Sequence, residues 1–225
     1  MSTASSTSKA GVAALARKAG CAGVLSVLAA ASLVEFAGVV EAAPGTPSTH
    51  GAEMHGDPDA AAPYWRRQHG ADCAEMAVAD VVGQVTGREP TEQEIDATAE
   101  NMPSPFMPGG SIWRPGAPSE IRDLPALLAH YGIHGDAIQT NIDELEQALA
   151  RGHKVIAAVN SQILWNGVGN RKIVDHFVVV TGIDTAANVV HLNDSGIDTG
   201  SDEQVPLATF EDSWATSNNQ AVVAD

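Results

Sequence analysis

Asp175-His176-Phe177-Val178-Val179-Val180-Thr181-Gly182-Ile183-Asp184, followed by Val189-Val190-His191-Leu192-Asn193-Asp194-Ser195-Gly196, is the stretch that decides the fold. Its apolar and β-branched runs predict strands over residues 174–183 and 189–192, joined as an antiparallel hairpin. His176 heads the run Phe177-Val178-Val179-Val180, so a polar ring begins a strand whose other members are core. Such a ring requires either a structural hydrogen bond or a catalytic partner. The returning strand carries Asn193 or Asp194 back beside it, although Asn-Asp-Ser-Gly is also a common turn cluster.

Working outward, Val155 to Val159 reads as a buried strand, residues 206–214 as a last helix and residues 221–223 as a last strand. Upstream, Asn141 and Glu144 start a helix that runs to Ala150 and stops at Gly152, after a short strand over residues 133–139. Ser119 caps a helix that ends near Tyr131, with Gly132 as its stop. The Pro and Gly density of residues 103–118 forbids regular structure, and Phe106 and Trp113 supply anchors for that long loop. Pro90 and Thr91 open a helix that ends before Pro103. The first element is the segment from Asp72 to Val82, with apolar residues at 74, 77, 78, 81 and 82, the spacing of one helical face. Asp72 and Glu75 form the pattern of a capping box, which places Cys73 in the first turn. Helices first and mostly adjacent strands afterwards predict an α+β fold with an antiparallel sheet in the second half.

Before this domain, Lys9, Arg17 and Lys18 precede an uncharged run from Cys21 to Val34, and Val40-Glu41-Ala42-Ala43-Pro44 has the small residues of a signal-peptidase site. Residues 1–42 are therefore expected to be a secretion signal cleaved after Ala42, the protein being secreted or extracytoplasmic without stable membrane association. Residues 43–62, rich in Pro, Gly, Ala and Asp, read as a flexible linker, and residues 63–225 as one domain with room for a core. The net charge of −16 excludes nucleic acid and anionic lipid as partners held by general electrostatics. A monomer is expected.

The chain has two cysteines, Cys21 and Cys73. If Cys21 leaves with the signal, Cys73 is a lone thiol in an oxidising compartment, either buried and inert or kept for chemistry. A thiol reacts as thiolate, which a helix N-terminus and an imidazolium both favour. Of eight histidines, His50 and His55 lie in the linker, His69 in the turn before the first helix and His153 in a turn. His130 and His134 have metal-pair spacing, but Gly132 breaks the helix between them and no third ligand follows. No cofactor or metal is expected. His176 is the candidate base for Cys73, its place at the head of a strand fitting a structural hydrogen bond equally well, with Asn193 or Asp194 to orient its ring. Gln68, five residues before Cys73, could join the Cys73 backbone N–H as a donor to a developing oxyanion.

With Gln68, Asp72-Cys73, Gly152-His153-Lys154-Val155-Ile156, the His176 strand with Thr181-Gly182-Ile183-Asp184, and Val190-His191-Leu192-Asn193-Asp194 in place, residues 64–225 resemble the bacteriocin-processing-like branch of papain-fold cysteine peptidases, the peptidase family 39-like domains. The His strand and the Asn-Asp that follows it are the most specific part. The resemblance implies a helical lobe and an antiparallel sheet lobe with the site in the cleft between them. By motif, Cys73 matches the nucleophile, His176 the general base, Asp194 the orienting carboxylate and Gln68 the oxyanion donor, with Asn193 able to serve in place of Asp194. The sequence departs from the family in having Ala74 after the Cys where Gly is usual, Gln68 five residues ahead where many relatives have six, and Ser195 where Pro is common.

These residues predict a cysteine peptidase that cleaves an amide bond of a peptide or protein substrate through a thioester acyl-enzyme. The alternatives are an inactive papain-fold module that binds a peptide in the same cleft, and a thiol transferase or amidase on the same fold.

Overall fold

The computed structural model describes residues 53–225. The expected secretion signal over residues 1–42 and the first ten residues of the expected linker lie outside the described residues. The chain enters through strand β1 (Met54–Gly56) and helix α1 (Pro58–Ala61), then a 3-10 turn over Ala62–Tyr64. Helices α2 (Cys73–Thr86), α3 (Glu92–Asn101) and α4 (Leu124–His130) follow. Strand β2 (Gly135–Gln139), helix α5 (Ile142–Ala150), strand β3 (Lys154–Val159) and the short helix α6 (Ser161–Leu164) lead into β4 (His176–Asp184). The chain closes with β5 (Val189–Asn193), β6 (Glu203–Pro206), α7 (Leu207–Trp214) and β7 (Gln220–Ala224).

The strands make one open antiparallel sheet in the order β2-β7-β3-β4-β5-β6. Strand β3 pairs with the first half of β4, and β1 pairs with its end, Met54 opposite Asp184. Both faces of the sheet are covered, which is why β4 reads as an almost continuous apolar run. Ile156, Ala158, Phe177 and Val179 pack with α2, α3 and α4 on one face. Val155, Ala157, Val159, Val178 and Val180 pack with α5 and α7 on the other, where Phe210 and Trp214 are fully buried. The two-residue alternation of side chains along β3 and β4 produces this division. The α+β fold, with helices before an antiparallel sheet, agrees with the reading of the sequence.

Three local readings change. Residues 53–62 are not a linker: Asp57 Oδ1 accepts the Ala60 N–H at 3.0 Å, Pro58 occupies the first turn of α1, and β1 pairs with β4 through its backbone. Three residues are too few to show an apolar period. The helix expected from Ser119 starts later, with a 3-10 turn at Ile121–Asp123 before α4, because the Ser119 hydroxyl is turned towards Glu75 instead of capping. The capping box expected at α2 does not form. Asp72 makes no side-chain bond to the helix; its Oδ1 accepts the Gly70 N–H at 3.2 Å and its other oxygen is buried without a partner. A capping box does form at α3, between Thr91 and Glu94.

Glu75 is fully buried, with Oε1 2.6 Å from Ser119 Oγ, while Ser119 Oγ lies 3.1 Å from the Ile112 carbonyl oxygen. A hydroxyl has one proton and cannot donate to both. Burial pushes Glu75 from the ordinary 4.5 up to about 7, against the pull of Ser119. Neutral Glu75 then donates to Ser119, and Ser119 donates to Ile112. A raised carboxyl contributes stability that is complete below its unfolded value and is lost as pH rises through its folded one. The buried Asp80, raised to about 7 by its own burial, acts in the same direction. The melting temperature is therefore expected to fall between pH 5 and 8, and Glu75→Gln, neutral throughout, to remove roughly 2–5 °C of that fall in scanning calorimetry. Identical slopes in the two proteins would contradict this protonation.

Candidate active site

Cys73 is the first residue of α2, where the unpaired N–H groups and the positive end of the helix dipole collect. Its thiol is free and half-buried. The preceding segment is fixed by Trp113, whose indole N–H donates to the Ala71 carbonyl at 3.0 Å, so the long loop over residues 103–118 anchors the start of this helix. His176 is the first residue of β4, opposite Val159 of β3, and only 4% exposed. The α2 helix packs directly on β4. Cys73 and His176 consequently line one open cavity of about 360 Å³, with Gln68, Trp165, Asp175 and Gly196 around them.

The sulfur of Cys73 shares this cavity with the His176 ring and is one of the groups that favour its cationic form. His176 Nε2 is 2.7 Å from Asp194 Oδ1. Nε2 being engaged there, Nδ1 is left for the sulfur. Asp194 is fully buried and takes three donors: His176 Nε2 and the Gly196 N–H at 2.6 Å on Oδ1, and the Trp165 indole at 2.8 Å on Oδ2. Burial alone would raise the Asp194 carboxyl. The bond and charge of His176, with the Trp165 and Gly196 donors, outweigh it and hold the group below its ordinary value. Burial alone would also lower the His176 imidazolium, but the Asp194 carboxylate and the Cys73 sulfur reverse this and raise it to about 10. The environment thus favours the cationic ring, with the Asp194 carboxylate bound at Nε2 and the cavity that holds Cys73 beside it.

Asn193 does not reach the ring. Its amide N–H groups donate to the Ala61 carbonyl at 2.9 Å and to Asp80 Oδ2 at 2.8 Å, tying β5 to α1 and α2. Asn193 and Asp194 are neighbours in an extended chain, so their side chains leave in opposite directions. The sequence left the two open; the structure brings Asp194 to His176.

Gln68 stands in the cavity with Cys73, but its amide is partly committed. Nε2 donates to the Gly70 carbonyl at 2.8 Å, and Oε1 accepts the Ser195 hydroxyl at 2.8 Å. A side-chain amide has two N–H donors, so one remains uncommitted. His69 borders the same space, with its ring 2.7 Å from Glu92. His134 pairs with Asp225 at 3.0 Å and His130 packs on Tyr131, so the metal-spaced pair does not converge.

Two tryptophans escaped the reading of the sequence. Trp165 packs edge-to-face on His176, ring centroids 5.1 Å apart, and its indole holds Asp194, so it covers the bond between the two. Trp65 donates its indole N–H to the Asp194 main-chain oxygen at 2.6 Å. Neither belongs to a periodic pattern, and their partners are 29 and 129 residues away, so no local signal marks them. Gly200 permits this packing: a Cβ there would lie 1.8 Å from the Asp194 carbonyl oxygen, which rules out any other residue without movement of the loop.

Residues 60–222 match the model of the Peptidase_C39 like family. An uncharacterized protein of Mycobacterium tuberculosis and one of Mycobacterium bovis are each 42% identical to the chain over 219 residues, covering 86% of it and 91% of their own length. Among solved structures, a C39-like peptidase from Bacillus anthracis superposes with a TM-score of 0.59 at 18% identity, covering 77% of this chain and 98% of its own. That likeness carries the fold.

Proposed function

The chain belongs to the C39-like peptidase family, and from that premise we propose that it is an exported cysteine peptidase that cleaves peptide amide bonds with Cys73, His176 and Asp194. The observation that carries the proposal is a single cleft in which a helix-initiating thiol and a carboxylate-bound imidazole meet. Export is supported by the basic, then apolar, then small-residue order of residues 1–42.

In the proposed mechanism the Cys73 thiolate attacks the scissile carbonyl carbon, and the carbonyl electron pair moves to oxygen. In this reading the Cys73 backbone N–H and the uncommitted Gln68 amide N–H hold that oxyanion. As the tetrahedral species collapses, His176 passes its Nδ1 proton to the departing nitrogen, leaving a thioester on Cys73 and a neutral ring. A water then enters, gives a proton back to His176, and attacks the thioester; release of the acid restores the thiolate and imidazolium. Asp194 remains ionised throughout, fixing the ring through Nε2 and keeping Nδ1 towards the sulfur. Trp165 excludes water from that bond, which strengthens it.

The test is a peptide-library digest in ¹⁸O-water. The proposal expects fragments whose new C-terminal carboxylates carry the heavy isotope. Peptides retained intact on the protein would instead indicate a binding module, and products joined to added amines a transferase.

A further inference from the structure

We infer that Glu203 is a positioning residue whose protonated carboxyl donates a hydrogen bond to Asp194 and so holds that carboxylate against His176. The inference rests on the reading of Cys73, His176 and Asp194 given above. A carboxylate offers about four lone-pair sites. On Asp194, Oδ1 is filled by His176 and Gly196, and Oδ2 has one donor, Trp165. One site on Oδ2 is left.

Glu203 opens β6, opposite Leu192 of β5, two residues before Asp194. By strand alternation its side chain leaves on the same face as those of Leu192 and Asp194, and its Oε2 is buried with no hydrogen-bond partner. Two carboxyls in contact are stable only when one of them keeps a proton. Asp194 has three donors and a cationic ring to favour its ionised form, so the proton belongs on Glu203. Burial first, then the charge of Asp194, push Glu203 up to about 7, with the His176 cation pulling the other way. Asp194 and His176 are the charged groups that act on it. The other ionisable pair of this hairpin, His191 and Asp202, is closed on itself at 2.6 Å. Below neutrality Glu203 is a donor; above it, a second negative charge meets Asp194 and the bond is lost.

The test is the low-field proton resonance of the His176 Nε2–H, followed from pH 5.5 to 8.5 in wild type and Glu203→Gln. The wild-type resonance is expected to shift with a midpoint near 7, and Glu203→Gln, whose amide donates at every pH, to keep the resonance and lose the step. A wild-type resonance without the step, or a step that survives in Glu203→Gln, overturns the inference. A second arm measures iodoacetamide labelling of Cys73 at pH 6, where Glu203→Gln should stay within about twofold of wild type and Glu203→Leu fall about tenfold. Folded Glu203→Leu reacting like wild type also overturns it; if that variant does not fold, the resonance of Glu203→Gln decides alone. A His176→Ala control that labels as wild type does would locate the failure in the underlying site, not in Glu203.

Discussion

Replacement of His176 by alanine is expected to lower peptide hydrolysis by on the order of 10³–10⁴ and to slow the alkylation of Cys73. Both effects follow from the same ring. In wild type the imidazolium, raised to about 10, lines the cavity that holds the Cys73 sulfur, and a cation there favours the reactive form of a thiol. Labelling of Cys73 by iodoacetamide at pH 6 is therefore expected to be about tenfold slower in His176→Ala than in wild type. Equal rates in the two proteins would remove the imidazole from the reaction. Hydrolysis suffers more than labelling because iodoacetamide needs no proton for its leaving group, whereas an amide nitrogen does.

Asp194→Ala is the second large effect, an expected loss on the order of 10³ in kcat with little change in KM, since the carboxylate is fully buried against the ring. Asp194→Asn is expected to be nearly as damaging. Three N–H donors converge on this carboxylate, and an amide must turn its own NH₂ towards at least one of them. Donor then faces donor, at the Trp165 indole or at the ring. The neighbouring position behaves differently. Asn193→Ala leaves kcat within about threefold of wild type but lowers stability by about 1–3 kcal/mol, because it strands the buried Asp80 carboxyl and the Ala61 carbonyl. Kinetics and urea unfolding of the two variants measured together separate the roles; a kinetic collapse in Asn193→Ala with Asp194→Ala unharmed would reverse the assignment of the two residues.

What the sequence disclosed followed the reach of its signals. The run from Phe177 to Val180 is apolar on both faces because helices cover both faces of β4, and so it announced a central strand. The spacing of residues 74, 77, 78, 81 and 82 announced α2, and with it the place of Cys73 at a helix start. Fold and site diverge from there. Asp72 and Glu75 have the residue types of a capping box, but both are drawn into the protein interior, where burial and Ser119 outcompete the helix end. Strand β6 is four residues long, half-polar and ends in Pro206, so nothing in its composition identified it, and Glu203 stayed hidden with it. Trp165 and Trp65 meet Asp194 only after the sheet has formed. The choice between Asn193 and Asp194 depends on which way one residue of an extended chain points, a fact of register and not of residue type.

In the proposed reaction Cys73 carries the acyl group of a cleaved peptide. The most direct measurement of that step is intact-protein mass spectrometry after acid quench of a substrate peptide mixed with the enzyme for seconds. The account predicts an added mass equal to the N-terminal fragment of the peptide, mapped to Cys73 and discharged by hydroxylamine as a thioester would be. Peptide cleavage proceeding at full rate with Cys73 unmodified, or in a protein whose Cys73 has been replaced by alanine, would contradict it.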